Sequence, residues 1–296
     1  MKLDRRGLLA AGAAAGLAAA AGGTARARPA QPKARAVLKV SSQEGIIPGQ
    51  SLAERLDRME RWDFDGLEVG GGGLPGRVRE IREALNGRKV RLSAICAGFQ
   101  GALISNQETE RQRAMTTIKE ILTAAGELGS TGMIVVPAFN GQTNLGNKEA
   151  RDILVGLLRE LGEHARAAGT RVLLEPLNRG EAFFLRQLAD AAAICRDVES
   201  PGVHMMGDFY HMGIEETSDM GAFISAGPYL HHVHLASRKR NLPGQDDRDY
   251  INGFRGLKMI GYQDFCSLEC GVIGDRETEI PKAVAFLREQ WRRAPG

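Results

Sequence analysis

Cysteine is scarce in this chain: four residues in 296, namely Cys96, Cys195, Cys266 and Cys270. None forms a C-x-x-C pair, and the step from Cys266 to Cys270 is not a zinc-ribbon spacing. A disulfide-dense scaffold and a ribbon-type zinc module are excluded. The thiols read as buried and free, with a disulfide left open if the compartment is oxidising. Net charge is small too: 39 Lys and Arg against 36 Asp and Glu give +3. The two signs are interspersed, so there is no basic footprint for nucleic acid. A G-x-G-x-x-G fingerprint is missing. The run Gly70-Gly71-Gly72-Gly73 lacks that spacing and reads as a flexible loop rather than a phosphate cradle. Beyond the N-terminal segment no apolar run approaches the roughly 20 residues that span a bilayer.

What is present begins with an address. Lys2, Arg5 and Arg6 precede an Ala-, Leu- and Gly-rich run from Gly7 to Ala21, and Ala25-Arg26-Ala27 offers small residues for cleavage. Arg5-Arg6 before Gly7-Leu8-Leu9 resembles a twin-arginine export signal. Residues 1–27 are therefore read as a signal peptide, 28–36 as a linker and 37–296 as one catalytic domain. The expected destination is a periplasm-like compartment, with no membrane attachment once the signal is removed.

From residue 37 onward, short aliphatic runs alternate with helical patterns. The runs are Val37–Ser42, Gly66–Val69, Val90–Cys96, Met133–Pro137, Arg171–Glu175, Val203–Asp208, Leu230–Leu235 and Phe265–Glu269. Between them apolar residues recur at helical spacing, as in Leu52, Leu56 and Met59, in Met115, Ile118, Leu122 and Ala125, and in Ile280, Val284, Leu287 and Trp291. Strands separated by helices pair in parallel, and eight such units without a phosphate fingerprint predict a closed (β/α)8 TIM barrel. In that fold the chemistry sits at the C-terminal ends of the strands.

Four consecutive strand ends carry groups able to bind metal: Glu175, Asp208, His234 and Glu269. A carboxylate ending an apolar strand is costly to bury unless it is paired or bound to metal. One alone reads as an ion-pair partner; four in register predict a site for one divalent ion. Three carboxylates and an imidazole suit Mn2+ first, with Co2+, Mg2+ or Zn2+ also compatible. Alternation puts His232 on the same face as His234, as a core or supporting group, and turns His231 the other way.

The segments Glu175-Pro176-Leu177-Asn178-Arg179-Gly180-Glu181, Asp208-Phe209-Tyr210-His211-Met212-Gly213-Ile214-Glu215-Glu216, His234-Leu235-Ala236-Ser237 with Arg240, and Leu268-Glu269 resemble the xylose isomerase-like barrel superfamily. Within it they are most similar to the D-tagatose and D-psicose 3-epimerase group. Hydroxypyruvate isomerases are similar around the first two segments, but His234, Arg240 and the Gly213–Glu216 run lean towards the epimerases. The resemblance is strong over about 170–275 and architectural before it. It implies that Glu175, Asp208, His234 and Glu269 are the ligands, that Glu175 and Glu269 also move protons, and that Glu181, His211 and Arg240 contact substrate. Glu68, Cys96 and Phe99 are placed at the same rim without an assigned role.

The chemistry expected is removal of a proton beside a carbonyl, through an enediolate stabilised by the ion. Return of the proton on the opposite face is epimerisation; return at the neighbouring carbon is isomerisation. Export favours a free keto sugar or keto-glycoside over a sugar phosphate. A lyase or dehydratase would use the same groups but expel a leaving group. An endonuclease-type barrel would need more ligands and a basic groove, against six histidines in all. A non-catalytic sugar-binding barrel would need no second base. Self-association into a homo-oligomer is compatible with all of these.

Overall fold

In each short run, aliphatic side chains at alternate positions pack outward against helices, while the residues between them point into a shared interior. A computed structural model describes residues 35–296 and shows the result, a closed barrel of eight parallel strands in sequence order. The strands are Lys39–Gln43 (β1), Gly66–Gly70 (β2), Arg91–Cys96 (β3), Met133–Val135 (β4), Val172–Leu174 (β5), Val203–Asp208 (β6), Leu230–Leu235 (β7) and Phe265–Leu268 (β8). The helices are Leu52–Arg61 (α1), Leu74–Leu85 (α2), Glu108–Glu127 (α3), Asn147–Ala168 (α4), Leu188–Val198 (α5), Phe209–Glu215 (α6), Asp219–Ala226 (α7), Ile251–Ile260 (α8) and Arg276–Arg293 (α9). The expected signal peptide and nearly all of the linker fall in residues 1–34, outside the described part. No helix among the described residues is long and apolar enough to cross a membrane.

Two apolar layers hold the barrel. Met133, Val135, Val172, Leu174, Val203, Met205, Val233 and Leu268 face outward and join helix residues such as Leu154, Leu158 and Leu161 in one large core. Ala94, Ile134, Leu173 and Met206 form a separate cluster from β3 to β6, the residues of opposite parity. The α4 stripe Ala150, Leu154, Leu158, Leu161 and Ala165 recurs at helical spacing and is fully buried.

Two expectations change. The paired parts of β5 and β8 stop at Leu174 and Leu268, so Glu175 and Glu269 lie one residue beyond them, where the strands open into the mouth. The glycine run after β2 is not a flexible loop. A Cβ on Gly71 would lie 1.9 Å from the Ala97 carbonyl oxygen, and Gly98, at φ 88°, faces Gly72 N at 2.1 Å from its own hypothetical Cβ. The β2–α2 and β3–α3 connections cross backbone to backbone, an approach that only glycine permits. All four cysteines are free.

Candidate metal centre

Each of the four strand-end groups is fixed by local structure before any ion is considered. Asp208 ends β6 and caps α6: its Oδ1 accepts from Tyr210 N at 2.7 Å, and its Oδ2 accepts from Arg240. Glu175 follows β5, with its backbone N donating to Val135 O at 3.1 Å. Pro176 next to it has no N–H to extend the ladder, so the chain turns away there. His234 is the fifth residue of β7 and is fully buried. Glu269 accepts from Gln43 Nε2 at 2.9 Å on Oε1 and from Arg240 on Oε2.

These four side chains converge. One ligand atom from each lies within 4.8 Å of every other. His234 Nδ1 is 2.7 Å from Glu269 Oε2, 3.6 Å from Glu175 Oε1 and 3.7 Å from Asp208 Oδ2. Even so, His234 Nδ1 and Glu175 Oε1 are buried without a hydrogen-bond partner. Orphaned buried polar atoms in a folded protein call for an explanation. Here both face a nest of three carboxylates. A divalent cation would supply the missing partner and offset the carboxylate charge that Arg240 leaves unbalanced. The donor set and the orphaned atoms therefore fit one ion.

The electrostatics agree. Burial pushes the Glu175 carboxyl up, with the Glu269 carboxylate adding to the push. Burial also works against Asp208 and Glu269, but His234 and Arg240 hold both below the usual carboxylate range. Burial opposes charge on His234 as well, yet the Glu269 and Glu68 carboxylates raise it well above an ordinary imidazole. Burial pushes the Cys96 and Cys270 thiols up, so neither is poised as a thiolate.

The three residues expected to meet substrate surround this centre. Arg240 bridges Asp208 and Glu269 from a loop that doubles back on β8, where Gly271 N donates to Arg240 O at 2.7 Å. Its backbone is left-handed, φ 60°, and its guanidinium lies 4.8 Å from the Tyr210 ring centroid. His211, on α6, directs Nε2 towards Asp208 Oδ2 at 3.7 Å. Glu181 is half-exposed, and its Oε1 accepts from Asn178 Nδ2 at 2.8 Å.

Three residues that hold the site in place, Glu68, Gln43 and Asn178, were given no role from sequence. Glu68, fully buried, accepts from Nε2 of His232 at 2.7 Å and of His234 at 3.1 Å. Burial would raise its carboxyl, but the two imidazoles hold it well below the usual range. The signal was a lone carboxylate between Leu67 and Val69 in an apolar strand. His232, weighed as core or support, is therefore a supporting group. Gln43 and Asn178 carried no comparable signal. His231 faces outward as expected and pairs with Asp264 at 2.6 Å. Beside Glu269, a cavity of about 430 Å³ opens over β1 to β3, lined by Gln43, Glu44, Arg55, Glu68, Gly70 and Cys96.

Comparison with known proteins agrees with the barrel fold. The family profile described as "Xylose isomerase-like TIM barrel" matches residues 56–290. A 3-dehydro-D-guloside 4-epimerase from Escherichia coli (strain K12) is 28% identical over 262 residues, covering 85% of this chain and 99% of the relative. A D-psicose 3-epimerase from Enterocloster bolteae is 26% identical over 225 residues, 72% of this chain and 75% of the relative. The crystal structure of a 3-keto-D-glucoside 4-epimerase from E. coli superposes with a TM-score of 0.80 at 28% identity, over 86% of this chain and all of that one. With a profile match across most of its length and the matching barrel, the chain belongs to the xylose isomerase-like TIM-barrel family.

Proposed function

We propose that this protein epimerises or isomerises a keto sugar, using Glu175 and Glu269 as the acid/base pair at a divalent ion held by Glu175, Asp208, His234 and Glu269. At the coarser level it is an isomerase-class sugar enzyme of its family. The observation that carries the finer reading is the placement of the two glutamates. They come from β5 and β8, three strands apart, yet meet at one buried imidazole whose Nδ1 has no hydrogen-bond partner. A binding site alone has no use for two such carboxylates.

A bound ion supplies Lewis acidity, offsetting the negative charge that develops on the carbonyl oxygen as the neighbouring carbon loses its proton. The chain's own groups do the rest. One of the two glutamates takes the proton and the other delivers one. His211 accepts at Nδ1 from both N–H groups of Asn178, so its remaining proton is on Nε2 and is available to a substrate oxygen. Arg240 holds Asp208 and Glu269 in place and, with Glu181, orients the sugar hydroxyls. Manganese is the ion we favour for this oxygen-rich donor set.

A keto-glycoside is the preferred substrate class, supported by the epimerase relative matched over 99% of its length, whose name specifies a 3-dehydro-guloside. Export by the N-terminal segment belongs to the same proposal, since an exported enzyme meets free sugars and glycosides more than sugar phosphates. The test is incubation of Mn2+-loaded protein with a panel of ketoses and 3-keto-glycosides in D2O, followed by NMR. The expected result is deuterium at a carbon beside the carbonyl together with an epimer or isomer. Loss of water or of an aglycone would replace the proposal with a lyase. Metal-loaded protein that binds sugar without exchange would replace it with a binding protein.

A further inference from the structure

We propose that Glu68 is a positioning residue for the metal centre, fixing the tautomer of His234 and, through Gln43, the outer oxygen of Glu269. This rests on the reading of the four ligands given above, but not on the reaction assigned to them.

Glu68 lies in Gly66–Gly70, where alternation sends Leu67 and Val69 into the outer core and Glu68 into the barrel. It is fully buried, and no arginine or lysine reaches it among the contacts of the described residues. Its partners come from across the barrel. His232 Nε2 donates to Oε2 at 2.7 Å, and His234 Nε2 lies 3.1 Å from each oxygen. An ionised carboxylate only accepts, so the imidazole nitrogen facing it must carry the proton. In neutral His234 that leaves the Nδ1 lone pair, and Nδ1 is the atom turned towards Glu175, Asp208 and Glu269. A carboxylate behind a ligating histidine sets both ring orientation and donor strength.

Gln43 extends the arrangement. Its Nε2 donates to Glu68 Oε1 at 3.0 Å and to Glu269 Oε1 at 2.9 Å, using both amide hydrogens. The strands β7, β8, β1 and β2 are consecutive around the closed barrel, so one polar chain ties four neighbours together. Glu269 is held at both oxygens, Oε1 by Gln43 and Oε2 beside Arg240 and His234, with Oε2 turned to the ligand cluster.

Glu68, His232 and His234 also lie close enough together to be considered as a second cation site. The satisfaction of its polar atoms argues otherwise. Both Glu68 oxygens and the Nε2 atoms of His232 and His234 already have hydrogen-bond partners in one another, whereas the four-ligand cluster leaves His234 Nδ1 and Glu175 Oε1 without any.

The test uses the full-length protein, stripped with a chelator and titrated calorimetrically with Mn2+. The wild type is expected to bind one ion, and Glu68→Gln to bind it about 10–100-fold more weakly. Equal affinity in Glu68→Gln overturns the proposal while leaving the ligand set intact. A stoichiometry of two overturns it in favour of a second site, and no binding in the wild type overturns the ligand set itself. Should Glu68→Gln fail to fold, nitrogen-15 histidine NMR of the zinc-loaded wild type decides the matter without a mutation. A proton on His234 Nε2 with Nδ1 bearing the metal is expected, and the reverse assignment sinks the idea.

Discussion

Asn178 donates its backbone N–H and its side-chain amide to a single atom, Nδ1 of His211, at 3.3 and 2.8 Å. The same amide reaches Glu181 Oε1 at 2.8 Å, and Asn178 Oδ1 accepts from Gly180 N at 2.8 Å. Asn178 thus holds the two residues that the proposed mechanism turns towards substrate, His211 and Glu181, and braces its own turn through Gly180. Asn178→Leu removes the shorter, side-chain donor behind His211, leaving only the backbone N–H at 3.3 Å, and frees Glu181. A positioned proton donor contributes roughly 10²–10⁴-fold to a rate. A fall in kcat of about tenfold to a hundredfold is expected, because the imidazole stays but its orientation and tautomer are held by one longer bond. Steady-state kinetics check this, with metal content measured alongside. An unchanged kcat would show that His211 needs no such support.

The glycine run after β2 yields a prediction with an internal control. At Gly71 an added methyl meets the Ala97 carbonyl, whereas at Gly72 nothing lies within 4 Å of one. Gly71→Ala must push two backbone segments apart at the mouth, a strain typically worth about 1–3 kcal/mol. Gly72→Ala has room and is expected to stay within about 0.5 kcal/mol of the wild type. Urea unfolding of both variants makes the comparison. Equal midpoints would mean that the crossing of the two connections is not tightly packed.

These residues also show how far the sequence could be read. The eight aliphatic runs and the groups at their ends were legible because strand periodicity and the cost of burying a carboxylate act locally. Glu175, Asp208, His234 and Glu269 each stood at the end of its own run, and the structure brings them together. Glu68 was visible only as a carboxylate in an apolar strand, since its partner His232 is 164 residues away and meets it only when the barrel closes. Gln43 and Asn178 act through amides, which carry no burial penalty large enough to mark them. Gly71 looked like a loop residue because its requirement comes from another backbone segment, at Ala97 and Gly98.

A separate prediction concerns the opposite end of the barrel. His204 opens towards His231, with ring centroids 4.3 Å apart, and its Nδ1 is buried without a partner. Burial, then the neighbouring His231 and Arg171, pulls the imidazole down to about 3 from an ordinary 6.5, against a weaker pull from Asp264. Between those values the unfolded chain takes up a proton that the folded chain refuses. Stability therefore rises with pH through this window and is lost as pH falls from 6.5 towards 3. The slope from one such group is at most about 1.4 kcal/mol per pH unit. His204→Asn is expected to flatten the stability profile between pH 6 and about 4, measured by urea unfolding at a series of pH values. An identical slope in the variant would assign the acid sensitivity elsewhere.

The sharpest consequence for the chemistry lies in Glu175 and Glu269. Both are proposed as ligands and as proton carriers, so a loss of activity alone does not separate the roles. A glutamine keeps a carbonyl oxygen that an ion can bind but has no carboxylate to accept a proton. Glu175→Gln and Glu269→Gln are each expected to retain measurable metal, bound more weakly, yet to abolish exchange of the substrate's acidic hydrogen with D2O and to form no product. The two environments differ, with Glu175 pushed up by burial and Glu269 held down by His234 and Arg240. Rapid exchange in both metal-saturated variants would remove the glutamates from proton transfer and leave them as ligands only.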